Sequence, residues 1–80
     1  MALTRDALLG FLSNDLRLEV DELEDSTLIF SSGLADSFML VSLLSFVEQQ
    51  QGVHVNVADV TLENLDSIER ILAFAQKIVT

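Results

Sequence analysis

The chain contains no cysteine. No disulfide can brace it, and it offers neither a thiolate nucleophile nor a cysteine-based zinc site. Any thiol chemistry must therefore come from a group attached to the protein. Proline is also missing, and glycine occurs only at positions 10, 33 and 52, of which Gly33 and Gly52 read as punctuation. Basic residues are scarce, 4 against 13 acidic ones, for a net charge of -9. That balance argues against nucleic-acid binding, where lysine and arginine must neutralise phosphates. It favours basic protein partners drawn in by long-range attraction.

Long apolar runs are lacking too. The longest candidate, 38–47, is broken by Ser42 and Ser45, well short of the roughly 18 residues that span a bilayer. Near the N-terminus the apolar run 7–12 is short, contains Gly10 and follows Arg5 and Asp6, which is unlike a signal peptide. A cytoplasmic protein without membrane contact is expected. The single histidine, His54, lies in a short connection, and nothing in the sequence sets it beside a nucleophile. An exposed loop histidine is expected there, rather than a member of a Ser-His-Asp arrangement. The acidic stretch Asp21, Glu22, Glu24 and Asp25 lacks the alternating ligands, central glycine and closing glutamate of a calcium loop. It reads as a solvated loop, and no Gly-rich phosphate loop is present.

What the chain does have is apolar residues, half of its 80. That is enough for one small domain with its own core, near the lower size limit for folding alone. A helical period runs over about 4–16, with Leu8, Phe11, Leu12 and Leu16 on one side and Thr4 placed to cap the start. Residues 17–36 show no sustained period and read as a long loop, with Leu28, Phe30 and Leu34 as candidates to pin it to the core. Loops of this length in compact domains are often functional.

A second helix is expected from the cap Asp36 to just before Gly52. It carries no charge between Ser37 and Val47, so it should be central in the fold or face a partner. An extended connection follows over 54–57, then a short helical turn around 58–62. A last helix should start between 64 and 66 and run to about Val79, with Asp66 and Glu69 as a capping box. The expected core joins Leu8, Leu12 and Leu16 to Leu40, Val41, Leu44 and Val47, and to Ile68, Ile71, Leu72 and Ala75. The fold class is all-α: three main helices, one short one and a long first loop.

The remaining constellation is Gly33-Leu34-Ala35-Asp36-Ser37-Phe38. A serine one residue past an N-cap is exposed at a helix start, where free N–H groups and the dipole favour a phosphate. A flexible loop before it leaves room for an enzyme, so the geometry suits covalent attachment of a phosphate ester. By itself Asp-Ser marks no more than a helix start.

Over nearly its whole length the sequence resembles the acyl and peptidyl carrier proteins. Asp36, Ser37 and Phe38 match the family's attachment motif of Asp-Ser and a large apolar residue. Gly33-Leu34-Ala35-Asp36-Ser37 looks like the form found in D-alanyl carrier proteins and other free-standing carriers; fatty-acid carriers commonly place the glycine one residue nearer. Thr61 to Ile68, Thr-Leu-Glu-Asn-Leu-Asp-Ser-Ile, is similar to the family's lead-in to its last helix. The resemblance implies a four-helix carrier bundle, with 4′-phosphopantetheine from coenzyme A on Ser37. It implies that Asp36 helps position a transferase's metal and coenzyme A.

The implied protein is not itself an enzyme. It is expected as a monomer whose partners are a phosphopantetheinyl transferase, a loading enzyme (an adenylating ligase or an acyltransferase), and a downstream synthase or transferase. Fatty-acid carriers have an acidic second helix, whereas here the matching positions are Met39, Ser42 and Gln49, with only Glu48 acidic. Phe38, Met39, Ser42 and Glu48 are therefore the expected docking residues, more apolar than in fatty-acid synthesis. A dedicated pathway with an aminoacyl, polyketide or peptide thioester is implied. One reading from another class stays open: a small acidic helical interaction module without prosthetic group, since an uncharged helix can also lie in a partner's groove.

Overall fold

Each helix starts on a short polar side chain that accepts the backbone N–H three residues on, the arrangement that satisfies one of the free donors of a first turn. In the computed structural model, which describes residues 3–79, Thr4 opens α1 (Arg5–Asn14), Asp36 opens α2 (Ser37–Gln51), Thr61 opens α3 (Leu62–Leu65) and Ser67 opens α4 (Ile68–Lys77). Two 3-10 turns, Val20–Glu22 and Val57–Asp59, interrupt the connections. There is no strand among the described residues, so the protein is an all-helical bundle. No helix among them is long and apolar enough to cross a membrane.

The first helix is shorter than its periodicity suggests. The Leu16 N–H reaches back to the Phe11 carbonyl, and Arg17 takes a left-handed φ of 58°, after which the Leu18 N–H returns to the Leu12 carbonyl. A left-handed residue cannot propagate a right-handed helix, so Leu16 is buried from outside the helix, in the core. The second helix keeps the expected bounds, because Asp36 and Gly52 fix both ends. Gly52 has φ 69°, and its N–H bonds to the Glu48 carbonyl.

The last helix starts later than expected, at Ile68, directly behind the short α3. Asp66 ends α3, and the cap of α4 is Ser67, whose hydroxyl accepts the Arg70 N–H at 3.2 Å. The capping box on Asp66 and Glu69 does not form. The break falls there because Asp66 is drawn inward by a different set of donors, described below. The short turn expected at 58–62 appears one residue earlier, at Val57–Asp59, and Leu62 already belongs to α3.

At the centre lie Leu8, Leu12, Ile29, Leu43, Val47, Leu65, Ile68 and Ile71, all with no measurable exposure. On α2 the expected face is rotated. Leu43 is the buried residue, Leu40 and Leu44 pack on the core half-buried, and Val41 is 62% exposed. Two residues are about 200° apart round a helix, so Val41 and Leu43 cannot share a face. On α4, Ile71 and Ala75 are buried as expected, Leu72 is half-buried, and Phe74 joins them. In the first loop Ile29 is the pin. Leu28 and Leu34 are exposed instead, and Phe30 is half-buried.

Candidate functional site

The run into Ser37 is built from the loop upward. Ile29 buries its side chain, and its N–H donates to the Asp66 carbonyl at 2.6 Å. The next two N–H groups, of Phe30 and Ser31, both donate to Asp66 Oδ1, at 2.7 and 3.0 Å. The Ser31 hydroxyl donates to the other oxygen, Oδ2. Gly33, at φ 88°, turns the chain back, its N–H on the Phe30 carbonyl at 3.2 Å. That conformation is open to glycine without strain. Ala35 then buries its methyl and closes the turn with an N–H to the Ile29 carbonyl at 3.1 Å. The chain arrives at Asp36 extended and enters α2.

Asp36 Oδ1 accepts the Met39 N–H at 3.0 Å, so its carboxylate is fixed against the first turn of α2. Ser37 is the first residue inside the helix and is exposed. Its hydroxyl makes no hydrogen bond to another described residue. Beside it lies a hollow of about 270 Å³ lined by Phe30, Ala35, Asp36, Ser37, Leu40 and Leu62. An oxygen nucleophile or acceptor, a neighbouring carboxylate and a helix N-terminus with its positive dipole end thus meet at the surface.

The expected docking residues separate. Phe38 is 84% exposed and Ser42 is exposed, but Met39 is half-buried against the core. Val41 takes the place beside Phe38, and Ser45 and Gln49 continue the same exposed, uncharged face. Glu48 turns inward along the chain. Its Oε2 accepts the Val55 N–H at 2.7 Å and stands 2.9 Å from His54 Nδ1. It holds the turn after α2 together. The His54 side chain is 90% exposed, as a loop histidine. Between α1 and α2 a groove of about 500 Å³ runs past Phe11 and Phe46, whose rings stack at 4.3 Å.

The acidic loop gathers no ligand set. Among the described residues no three His, Cys, Asp or Glu side chains come together in a way that could hold a metal ion. Asp25 instead pairs with Arg5 at 2.6 Å, and its carbonyl accepts the Glu69 N–H at 3.0 Å. Both contacts tie the loop to helix ends.

The residue that sequence reasoning missed is Asp66. It is 2% exposed, yet charged. Burial disfavours the charged form, but the Ser31 hydroxyl, the Ser31 and Phe30 N–H groups and the charge of Arg70 outweigh it and hold the carboxyl below its ordinary value. The available signal was Ser67 next door, a cap of equal quality one residue later. With α4 opened by Ser67, Asp66 is released for another task. Comparison with family models gives no match, and comparison with curated proteins gives none either.

Proposed function

We propose that this chain is a cytoplasmic carrier protein that holds an acyl or aminoacyl group on a 4′-phosphopantetheine arm at Ser37. The observation that carries the reading is the exposed Ser37 hydroxyl, without a partner among the described residues, at the head of an uncharged helix and next to the fixed carboxylate of Asp36. The residues fit a phosphodiester at that point. The N–H groups of Ser37 and Phe38 precede the first intrahelical bond, which Leu40 makes to the Asp36 carbonyl. They are therefore free to meet phosphate oxygens. Asp36 spends Oδ1 on the Met39 N–H. Oδ2 is left for a cation that a transferase brings with coenzyme A.

When bound, the arm supplies the thiol that a chain without cysteine lacks, and with it a thioester. The protein's own part is to anchor the arm and to choose partners. The face of Phe38, Val41, Ser42, Ser45 and Gln49 carries no charge, so docking there rests on apolar burial more than on charge pairing. That supports a dedicated aminoacyl or specialised acyl pathway, with an adenylating ligase or acyltransferase as loading enzyme and a synthase or transferase downstream. A second reading, a helical interaction module with Ser37 unmodified, draws on the same exposed Phe38 and Val41.

Intact mass decides between the two. With coenzyme A and a broad-range phosphopantetheinyl transferase, the wild-type mass should rise by one phosphopantetheine, and Ser37→Ala should abolish the gain. Transfer that persists in Ser37→Ala, or that maps to Ser31 or Ser32, would sink the assignment. No transfer to the wild type would leave the interaction module.

A further inference from the structure

We infer that Asp66 is a positioning residue for Ser37: its buried carboxylate and carbonyl clamp three consecutive loop N–H groups and so fix the run that presents the serine. The inference rests on the carrier reading of Ser37. Asp66 stands at the join of α3 and α4, 2% exposed, and caps neither α4 nor any other helix start. An apolar side chain would fill such a position without the cost of burying a charge.

What the carboxylate gains there is specific to the first loop. The N–H groups of Ile29, Phe30 and Ser31 all end on Asp66, and the Ser31 hydroxyl adds a fourth donor. In sequence these partners are 35 to 36 residues away for the carboxylate bonds. The clamp therefore joins the second half of the chain to the segment before α2. From the clamp the path to Ser37 is short and continuous. The Ile29 carbonyl, fixed by its own N–H on Asp66, accepts the Ala35 N–H; Ala35 is buried; and Asp36 follows as the cap of α2. Phe30, held by the same carboxylate, forms one wall of the hollow beside Ser37. Loosening Asp66 therefore frees the loop that carries the site while leaving the helix cores packed.

Three proteins test this as unmodified full-length chains: wild type, Asp66→Asn and Ser31→Ala. Two readouts are needed, amide hydrogen exchange and the kinetics of phosphopantetheine transfer from coenzyme A. In Asp66→Asn, the amides of Phe30, Ser31 and Ala35 should lose protection while those inside α1 and α4 keep it. A loop that is competent for only part of the time raises the apparent KM by the inverse of that fraction and leaves the saturated rate alone. KM for the carrier should therefore rise about tenfold, the size of one lost charge-assisted hydrogen bond, with kcat little changed. Ser31→Ala removes one donor of four and should move both readouts the same way by a smaller factor; it decides alone if Asp66→Asn gives no cooperative melt. Protection retained at Phe30 and Ala35, or a wild-type KM in a variant whose loop has opened, would overturn the inference. If the wild type itself accepts no phosphopantetheine, the carrier reading fails. Exchange then decides the clamp by itself: loss of protection at Ala35 supports it, and retained protection refutes it.

Discussion

Gln51 is the polar residue deepest in the packing of α2, 5% exposed in its last turn. Its Oε1 accepts the Leu3 N–H at 2.6 Å, and its amide donates to the Ala75 carbonyl. One side chain thus ties the segment before α1 and the end of α4 to α2. Gln51→Leu should cost about 1–3 kcal/mol, because a buried donor loses its partner; an unchanged denaturation midpoint would count against that. Asp66 gives a pH signature. Its carboxyl is held below the ordinary value, burial notwithstanding, by Ser31, Phe30 and Arg70. A depressed native pKa contributes stability that is fully present above the unfolded value of about 3.9 and is lost as pH falls through the native value. The gap in Tm between wild type and Asp66→Asn should then be constant near neutrality and shrink below about pH 4. A gap that widened on acidification would contradict the hydrogen bonding seen around this carboxylate.

At the scale of the element, α2 carries two faces with two tasks. Leu43 and Val47 face the core with no exposure, whereas Phe38 and Val41 stand 84% and 62% exposed on the other side. Leu43→Ala should cost about 2–5 kcal/mol, as for other fully buried leucines. Leu44→Ala should cost less, since Leu44 is only half-buried. Val41→Glu should leave the melt within about 0.5 kcal/mol of wild type but weaken turnover by a loading enzyme. If Val41→Glu unfolded the protein, the face would belong to the core after all. The helix end at Gly52, φ 69°, is a further constraint. A side chain there has room but not the conformation.

Across the whole molecule the net charge of -9 is carried by loops and helix ends, and the face beside Ser37 is uncharged. Going from about 0.1 M to about 1 M salt shortens the screening length from about 10 Å to about 3 Å. If docking is apolar, KM for the carrier should change little over that range; a steep rise would mean that the acidic loops make the contact. The missing cysteine makes a second whole-molecule check. Thiol titration should find none in the unmodified protein and one after phosphopantetheine transfer.

Local features were legible in the sequence: the starts of α1 and α2 on the caps Thr4 and Asp36, the end of α2 at Gly52, the helical class, and the exposed place of Ser37. Each depends on interactions within a few residues, where hydrogen-bond reach and helical period suffice. Asp-Ser occurs three times, at 25–26, 36–37 and 66–67, and the pairs do different things. In Asp36-Ser37 the aspartate caps and the serine is exposed; in Asp66-Ser67 the serine caps and the aspartate is buried. Nothing local separates them, since either residue can accept the N–H three positions on. Long-range packing separates them, by bringing the N–H groups of Phe30 and Ser31 to Asp66 and leaving Asp36 at the surface. The same long-range packing chose Ile29 over Leu28 as the loop's pin and Leu43 over Val41 as the buried face of α2. In a helix apolar on nearly every side, hydrophobicity alone does not say which side turns inward; the neighbouring helices and the loop do.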